Sequence, residues 1–475
     1  MRNPSLSLVC HLILWLAFCS ATTIVPELNR QKKSTRLDKH AEYEGGSRDG
    51  KHILHTDHFY AASSTSSHRY GFSKPHSRIF DVLYFGAIGD GVSDDTKALV
   101  AAWKAACVVS RATIEIPSEF SFLIKPVTLQ GPCMPNLVLQ IDGTLLAPSN
   151  ISDWPKPNIL QWLNFKWLHE FTVQGSGTLD GQGYELRNLS QQRQHTQKAT
   201  EHWLLESRPT VMRFYKSYNI TVRNIQIINS PQCHLKFDSS RGIKVKDLTI
   251  FSSQDSPNTD GIHLQNTRDV EIKNSNIGCG DDCVSIQTGC SNIHIRNIKC
   301  NPGHGISLGG LGKGNSLACV SDVSVDNINV QNALSGVRIK TWQGGLGSVR
   351  NITFSNVKVS NVEIPIVIDQ YYCNKRSCKN KTDAVAISDV MFKGIRGTYS
   401  FQPMRLACSD SSPCTGVDLK NVHLLPANKL QARQKAFCWK SYGESQGMLE
   451  TSSVGCLQNN SRLMKPLTKP HNITC

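Results

Sequence analysis

Short apolar runs alternate with polar breaks along most of the chain, and one segment type recurs. In "ITVRNIQI" at 220–227, for example, β-branched residues alternate with polar ones up to a single asparagine. Alternation with a period of two predicts short β-strands, and the polar break predicts a turn. The recurring position lies 23 to 33 residues from the next and is occupied by Asn224, Asp247, Asn274, Asn297, Asn327, Asn356 and Asp389.

A repeat of this length predicts a solenoid of stacked turns. The Leu-x-x-Leu-x-Leu frame of leucine-rich repeats is absent, and a propeller would need four strands in a longer unit. We therefore predict an all-β fold, a right-handed parallel β-helix. The recurring Asn and Asp side chains would form a hydrogen-bonded ladder at one corner.

The segment before the repeats, "FDVLYFGAIGDGVSDDTKALVAAWKAAC", predicts a strand from Phe80 to Tyr84, a Gly/Asp turn and a helix. Leu99, Trp103 and Ala106 share one face of that helix, which we expect to cap the N-terminal end of the core. A calcium loop is the weaker interpretation of "GDGVSDD", because the ligand spacing of an EF-hand is absent. Candidates for the helix N-cap are Ser93, Asp94 and Asp95.

The N-terminus has the pattern of a secretory signal peptide. Residues 1–22 contain a basic start, an apolar run from Leu6 to Ala17 and small residues near Ser20. The run is too short to span a bilayer comfortably, so an uncleaved membrane anchor is the less favoured alternative. We predict a secreted, extracellular protein with no membrane attachment after cleavage. Seven Asn-X-Ser/Thr sites suit this prediction and lie at Asn150, Asn188, Asn219, Asn351, Asn380, Asn459 and Asn472.

Residues 23–78 are rich in Ser, His, Lys and Arg and poor in apolar residues. Such a segment cannot bury enough surface to offset the entropy of ordering it, so we predict a disordered extension or pro-region. A solvated tail is favoured over a metal site, because the histidines are irregularly spaced. Residues 79–475 would form the β-helix domain.

Cysteine usage also fits an oxidising compartment. Two of the 17 cysteines lie within residues 1–22, and the odd remainder of 15 requires at least one unpaired thiol. Close spacing suggests the pairs Cys373–Cys378, Cys408–Cys414 and Cys438–Cys456.

The formal charge of +15 favours a polyanionic partner or simply solubility. Outside a cell the candidate polyanions are acidic polysaccharides and anionic lipid. Nucleic acid is not expected, because no zinc-finger, RNA-binding or helix-turn-helix pattern is present.

Candidate chemistry lies in three motifs that are one turn of the repeat apart. Asp260, Asp282 and His304 are separated by steps of 22 residues, so they should stack on one face. Neighbouring Asp281 reaches the same face only if Gly280 bends the chain.

Strand alternation adds two cations to this face, Arg338 and Lys340 in "GVRIKTW". Each motif alone more often marks a surface turn or tight backbone than chemistry. Their registration favours a site, because clustered carboxylates cost free energy and raise at least one pKa.

The motifs "NTD", "GDD", "GHG" and "RIK", in this order, resemble those of the plant polygalacturonases, which are pectin-degrading glycoside hydrolases. The resemblance runs from about Phe80 to Cys456 and implies hydrolysis of the α-1,4 bonds between galacturonic acid units during cell-wall remodelling. It implies a single catalytic domain over 79–475, a location in the cell wall, and an inverting mechanism. We expect a monomer, an acidic polysaccharide substrate, and no cofactor or metal.

The same resemblance assigns roles. Asp281 would be the general acid, and Asp260 and Asp282 would hold and deprotonate the attacking water. His304 would help set the protonation of the carboxylates. Substrate would be bound by Arg338, Lys340, Asn258 and Tyr371, and a disulfide between Cys283 and Cys300 would brace the acid-bearing turn. Cys279 and Cys290 depart from the family pattern and either pair together or stay free.

Elementary chemistry agrees with these roles, because glycoside hydrolysis needs one protonated and one ionised carboxyl group. The cations favour a uronate polymer over a neutral one. Carboxyls one rung apart, about 5 Å, would suggest retention rather than inversion, but no residue is an evident nucleophile. Alternatives are a rhamnogalacturonan or xylogalacturonan hydrolase, a pectate lyase, and a non-catalytic pectin-binding wall protein.

Overall fold

The fold is given by a computed structural model. The predicted signal peptide (1–22) and the predicted extension (23–78), apart from Arg78, lie outside the residues that it describes. Within the described part of the chain, no helix has the length and apolar character needed to cross a membrane. The described residues are 78–154, 161–184, 208–373, 383–428, 434–447, 456–458 and 475.

Nearly every regular element among these residues is a short β-strand, as the period-two pattern predicts. The one long helix among the described residues is α1 (Thr96–Cys107). The strands of the N-terminal part are β1 (Ile79–Asp81), β2 (Asp90–Asp94), β3 (Thr113–Ile116), β4 (Ser121–Leu123), β5 (Val127–Gln130), β6 (Leu137–Ile141), β7 (Thr144–Leu146), β8 (Gln161–Lys166), β9 (His169–Gln174) and β10 (Thr178–Asp180).

The repeats recognised in the sequence form the middle and the C-terminal part of the coil. Strands become longer where two strands of one turn merge around a corner. These strands are β11 (Thr210–Tyr215), β12 (Tyr218–Arg223), β13 (Gln226–Ile228), β14 (Leu235–Asp238), β15 (Arg241–Lys246), β16 (Thr249–Phe251), β17 (Ile262–Gln265), β18 (Arg268–Gly278), β19 (Val284–Ile286), β20 (Cys290–Cys300), β21 (Ile306–Leu311), β22 (Leu317–Gln331), β23 (Ser335–Trp342), β24 (Leu346–Val362), β25 (Ile364–Tyr372), β26 (Ala386–Lys393), β27 (Arg396–Tyr399), β28 (Met404–Ala407), β29 (Thr415–Lys420), β30 (His423–Pro426), β31 (Phe437–Trp439) and β32 (Ser445–Gln446).

The strands coil into the predicted right-handed parallel β-helix, which confirms the fold class. Every strand pairs in parallel with the strand one turn away; Ile262 is opposite Val284, and Val284 is opposite Ile306. One sheet of eleven strands runs along the coil in the order β5, β8, β11, β14, β17, β19, β21, β23, β25, β28, β31. We call it the eleven-stranded sheet.

The core lies inside the coil, and like side chains stack there from turn to turn. Phe165, Phe214 and Phe237 occupy the same register position, with ring centroids 5.0 and 5.1 Å apart. Stacked, fully buried rings keep neighbouring turns in register, because a slip of one residue would turn them outward.

Helix α1 covers the N-terminal end of this core, as expected. Trp103 packs against Phe165 and Phe171 at centroid distances of 5.9 and 5.5 Å. Asp95 stands at the N-cap position, but its carboxylate accepts the N–H groups of Ile88 and Gly89 instead of capping the helix.

The predicted strand from Phe80 to Tyr84 is wrong in its second half. Strand β1 ends at Asp81, whose carboxylate accepts the N–H of Leu83 at 2.9 Å and starts a 3-10 turn over Val82–Phe85. A side chain that satisfies a nearby N–H competes with strand pairing.

The recurring Asn or Asp sits at a corner in the left-handed backbone region at all seven aligned positions, with φ between 52° and 62°. Asn and Asp tolerate this region better than other non-glycine residues. Part of the predicted ladder is present, because Asn297 donates to Asn274 at 2.9 Å and accepts from Asn327 at 2.8 Å.

Candidate active site

Three turns that enter consecutive strands of the eleven-stranded sheet carry the first three motifs. Asp260 precedes β17, Asp281 and Asp282 precede β19, and His304 precedes β21. Because these strands pair with a constant offset of 22 residues, the turns lie one above the other. The tertiary structure therefore brings these four residues together as predicted.

Buried hydrogen bonds fix the first two turns to each other. Thr259 Oγ1 donates to the Ser256 carbonyl at 2.8 Å and accepts the Gly280 N–H at 2.9 Å. A Cβ on Gly280 would lie 2.0 Å from the Ser256 oxygen, so glycine is required by this close approach. Gly280 does not adopt the left-handed conformation, and Asp281 and Asp282 both reach the site because they lie in a turn and not in a strand.

Asp282 is the most buried carboxylate of the site, with 3% of its side chain exposed. It accepts hydrogen bonds from Ser307 Oγ at 2.7 Å, from Arg338 Nη2 at 2.5 Å and from Lys340 Nζ at 3.0 Å. Burial opposes its ionisation, but the two cations outweigh burial and lower the pKa of Asp282 to about 2. Asp282 is thus held as a carboxylate.

Asp260 has the opposite electrostatic environment. Its side chain is 16% exposed, and Oδ2 is 2.9 Å from Nδ1 of His263. Burial raises the pKa of Asp260, and the charge of Asp281 adds to this effect, while the His263 contact opposes it. One carboxyl pKa is therefore raised, as predicted, but burial is its main cause and the crowding of charges a smaller one. The pKa values of Asp260 and Asp282 shift in opposite directions.

Asp281 lies beside His304, with Oδ1 2.9 Å from Nδ1 of the imidazole. The same Oδ1 accepts the N–H of Asp282 at 2.8 Å. At 21% exposure, Asp281 is the most accessible of the three carboxyl groups. A substrate oxygen could reach it most easily.

The disulfide between Cys283 and Cys300 is present and lies behind the acid-bearing turn. A Cβ on Gly303 would lie 2.7 Å from the Cys283 sulfur, so the turn that carries His304 packs directly on the disulfide. Cys279 is free and buried, and its thiol donates to the Asp281 carbonyl at 3.2 Å.

The cysteine predictions can be compared with the described pairs. Cys408–Cys414 and Cys438–Cys456 are confirmed, and Cys373 is disulfide-bonded while its predicted partner Cys378 lies outside the described residues. Cys279 and Cys290 do not pair together and remain free. Sequence spacing missed two pairs, Cys107–Cys133 and Cys319–Cys475.

The remaining predicted substrate contacts differ in their surroundings. Asn258 is exposed, with a φ of 59°, at the turn that leads to Asp260. The hydroxyl of Tyr371 donates to Asp410 at 2.9 Å. The ring next to the site cations belongs to Tyr372, whose centroid is 5.4 Å from the Lys340 ammonium.

Sequence reasoning missed three neighbours of the catalytic cluster: His263, Ser307 and Tyr372. His263 and Ser307 each follow a motif residue by three positions and point outward from paired strands. Strand alternation applied to "DGIH" and "HGIS" could have found both. Tyr372 was hidden by a register shift between Lys340 and Trp342.

One donor atom from each of Asp281, Asp282 and His304 lies within 4.8 Å of the others, a spacing that a metal ion could bridge. These donors already have partners, however, since His304 contacts Asp281 and both Asp282 oxygens accept from cations. We therefore interpret Asp281, Asp282 and His304 as a hydrogen-bonded cluster of acidic and basic groups.

Comparison with known proteins agrees with this geometry. The profile of "Glycosyl hydrolases family 28" matches residues 107–438, and the chain belongs to this family of glycosidases. It is 42% identical over 381 residues to a probable polygalacturonase of Arabidopsis thaliana, covering 79% of this chain and 84% of that protein.

Two further relatives support the same family. Polygalacturonase-2 of Solanum lycopersicum is 38% identical over 352 residues, covering 73% of this chain and 75% of the relative. Among solved structures, the polygalacturonase from Erwinia carotovora ssp. carotovora superimposes with a TM-score of 0.59 at 26% identity, covering 71% of this chain and 92% of that one.

Proposed function

We propose that this protein is a secreted polygalacturonase that hydrolyses α-1,4 bonds between galacturonate units of pectin. The observation that carries the proposal is a cluster of three carboxyl groups in which Arg338 and Lys340 hold one as an anion. Family membership and relatives named polygalacturonase support the same substrate.

Asp281 acts as the general acid in this proposal. It is the most exposed of the three carboxyls, and His304 stands beside it to stabilise its carboxylate after the proton has left. The proton moves from Asp281 to the glycosidic oxygen as the bond to the anomeric carbon breaks.

Asp260 and Asp282 hold the attacking water. Asp282 stays ionised and orients the water, and the proton that the water loses as its oxygen bonds to the anomeric carbon passes to Asp260. Ser307 and Arg338 both donate to Oδ1 of Asp282 and Lys340 donates to Oδ2, so Asp282 is a poor nucleophile, while Oδ2 keeps one lone pair that can accept from water. This supports direct attack by water, and therefore inversion, despite the short spacing of the turns.

The cations can also recognise substrate. A guanidinium has five N–H donors and an ammonium three, while Arg338 uses donors on Asp282 and Ser307 and Lys340 uses one on Asp282. Donors remain for a uronate carboxylate, and a neutral sugar would leave them less well satisfied. Asn258 and Tyr371 are proposed to contact the chain farther from the reacting bond.

Secretion to the cell wall and a monomeric state are also part of the proposal. The disulfides of the described residues, such as Cys107–Cys133 and Cys319–Cys475, favour an oxidising compartment. Sedimentation of the purified protein tests the monomer, and tissue fractionation tests the location.

The central experiment is brief digestion of de-esterified polygalacturonate by the purified protein, followed by sizing of the products. We expect new reducing ends without ultraviolet absorbance, since a lyase would introduce an absorbing double bond. Proton NMR of the first product reports inversion or retention. The matched control is the Asp281→Asn variant, which should bind polygalacturonate without cleaving it. If the unmodified protein also binds the polymer without cleaving it, the pectin-binding alternative is correct.

A further inference from the structure

The outward face of the eleven-stranded sheet continues beyond the catalytic turns toward the C-terminal end of the coil. Arg338 on β23 is opposite Val367 on β25, which is opposite Arg405 on β28, and Arg405 is opposite Phe437 on β31. The next outward row runs from Lys340 through Asp369 and Ala407 to Trp439.

Two aromatic side chains end these rows in solvent. Phe437 is 39% exposed and Trp439 is 47% exposed, and they point outward because Cys438 between them faces inward and forms the disulfide with Cys456. Because Phe437 and Trp439 end two adjacent outward rows, their rings together present an exposed aromatic surface beside Arg405.

A hydrogen bond on Trp439 and a cation–π contact on Phe437 hold these rings in place. Asp410 accepts from Trp439 Nε1 at 3.0 Å through one oxygen and from the Tyr371 hydroxyl at 2.9 Å through the other. The Arg405 guanidinium lies 5.0 Å from the centroid of the Phe437 ring. We call Tyr371, Phe437 and Trp439, with Arg405, the aromatic platform.

We propose that the aromatic platform is a distal binding subsite for an acidic polysaccharide chain that extends from the catalytic cluster. A flat ring packs against the C–H face of a pyranose, and Arg405 pairs with a uronate carboxylate. The inference rests on the proposed function, because it states how far along the same sheet face the substrate is bound.

The distance suits a polymer and not a single sugar. Trp439 lies three rungs from Lys340, or about 14 Å at about 4.8 Å per rung. Asp369 lies between them as the one acidic side chain in these two rows; it accepts the N–H of Tyr371 at 3.0 Å, and burial raises its pKa, which weakens its repulsion of uronates at acidic pH.

The test compares galacturonate oligomers of different length by calorimetry, with Asp281→Asn as the parent so that nothing is cleaved. Adding Trp439→Ala should weaken binding of the hexamer by about tenfold and leave the dimer unchanged. Trp167→Ala is the matched control, since Trp167 is also 47% exposed but lies in the turn between β8 and β9.

Equal hexamer affinity in the parent and the Trp439 variant overturns the subsite, as does an equal loss on dimer and hexamer. Failure of the parent to bind any oligomer would instead refute the proposed function. If Trp439→Ala does not fold, the Arg405→Met variant tests the subsite, because methionine keeps the packing on Phe437. This variant should bind the acidic hexamer more weakly and bind the methyl-esterified hexamer as tightly as the parent. Identical ratios for both hexamers would contradict the role of Arg405.

Discussion

Two corners of this coil stack residues one turn apart, but for opposite purposes. At the ladder corner Asn274, Asn297 and Asn327 are identical, and the amides of Asn297 and Asn327 each donate to the asparagine one turn earlier, so these turns repeat the same bond. At the catalytic turns the stacked positions differ, with two carboxylates and an imidazole in successive turns. Like residues at one register stabilise the repeat. Unlike residues at one register bring different ionisable groups together and so form a reactive site.

The energetic cost differs accordingly. The ladder amides are neutral and satisfy one another, so they add stability turn by turn. The catalytic turns place Asp260 and Asp282 near Asp281, which requires Arg338 and Lys340 from a later turn to compensate. The turns of the coil are similar to one another, but the catalytic region is stabilised by contacts between unlike residues of different turns.

The largest expected effect comes from Asp281→Asn. The amide keeps the size of the side chain but removes the transferable proton, so kcat should fall on the order of 10² to 10⁴-fold or more. Thermal unfolding and pectin binding should stay close to those of the unmodified protein. Turnover above a tenth of the original would show that Asp281 is not the acid.

The second effect concerns Lys340→Ala. Loss of a charge-assisted bond should cost about 1.5 to 3 kcal/mol of binding free energy on de-esterified polygalacturonate. KM should therefore rise roughly 10- to 150-fold. The ratio of kcat/KM between the two proteins should fall as methyl esterification of the substrate increases, toward a residual value set by the lost contact between Lys340 and Asp282.

If Lys340 only neutralises Asp282, that ratio stays constant across the esterification series. Exposed Lys97 on α1 provides the matched control, because Lys97→Ala removes the same charge far from the site. Its kcat/KM should not change on any polymer.

Asn297→Ala should break the ladder without touching catalysis. It removes one donated and one accepted hydrogen bond and places alanine at a φ of 56°, so we expect a loss of about 1 to 3 kcal/mol of unfolding free energy. Denaturant unfolding measures it, and kcat/KM should be unchanged. Asn297→Gly, which tolerates this backbone, should recover part of the loss; no recovery would mean that strain plays no part.

The smallest effect is a shift in pH dependence. Activity should be bell-shaped with an optimum at roughly pH 4 to 6, because one carboxyl must be ionised and another protonated. The contact with His263 lowers the pKa of Asp260, so His263→Leu should raise it and move the acid limb to higher pH. We expect less than a tenfold loss at the optimum. If the acid limb of the pH profile does not move, Asp260 is not the general base.

Most of the fold could be predicted from the sequence, because a solenoid repeats its local rules. Period-two alternation and Asn or Asp in a left-handed corner recur at seven aligned turns, so weak local signals add up over these copies. The 22-residue step between Asp260, Asp282 and His304 likewise fixed their stacking, since register in a parallel coil follows from the number of residues per turn.

Tertiary structure alone decided how these residues are paired. Arg338 and Lys340 bond to Asp282 and not to Asp260 or Asp281, and that choice depends on side-chain reach across two turns. A register shift after Lys340 places Tyr372, and not Tyr371, beside the cations, because one irregular residue reverses the alternation on which the sequence argument depends. Tyr371 is turned instead toward Asp410 and Trp439, whose proximity no spacing in the sequence reveals. Sequence period determines which turn a residue occupies, whereas packing of unlike side chains between turns determines its partners.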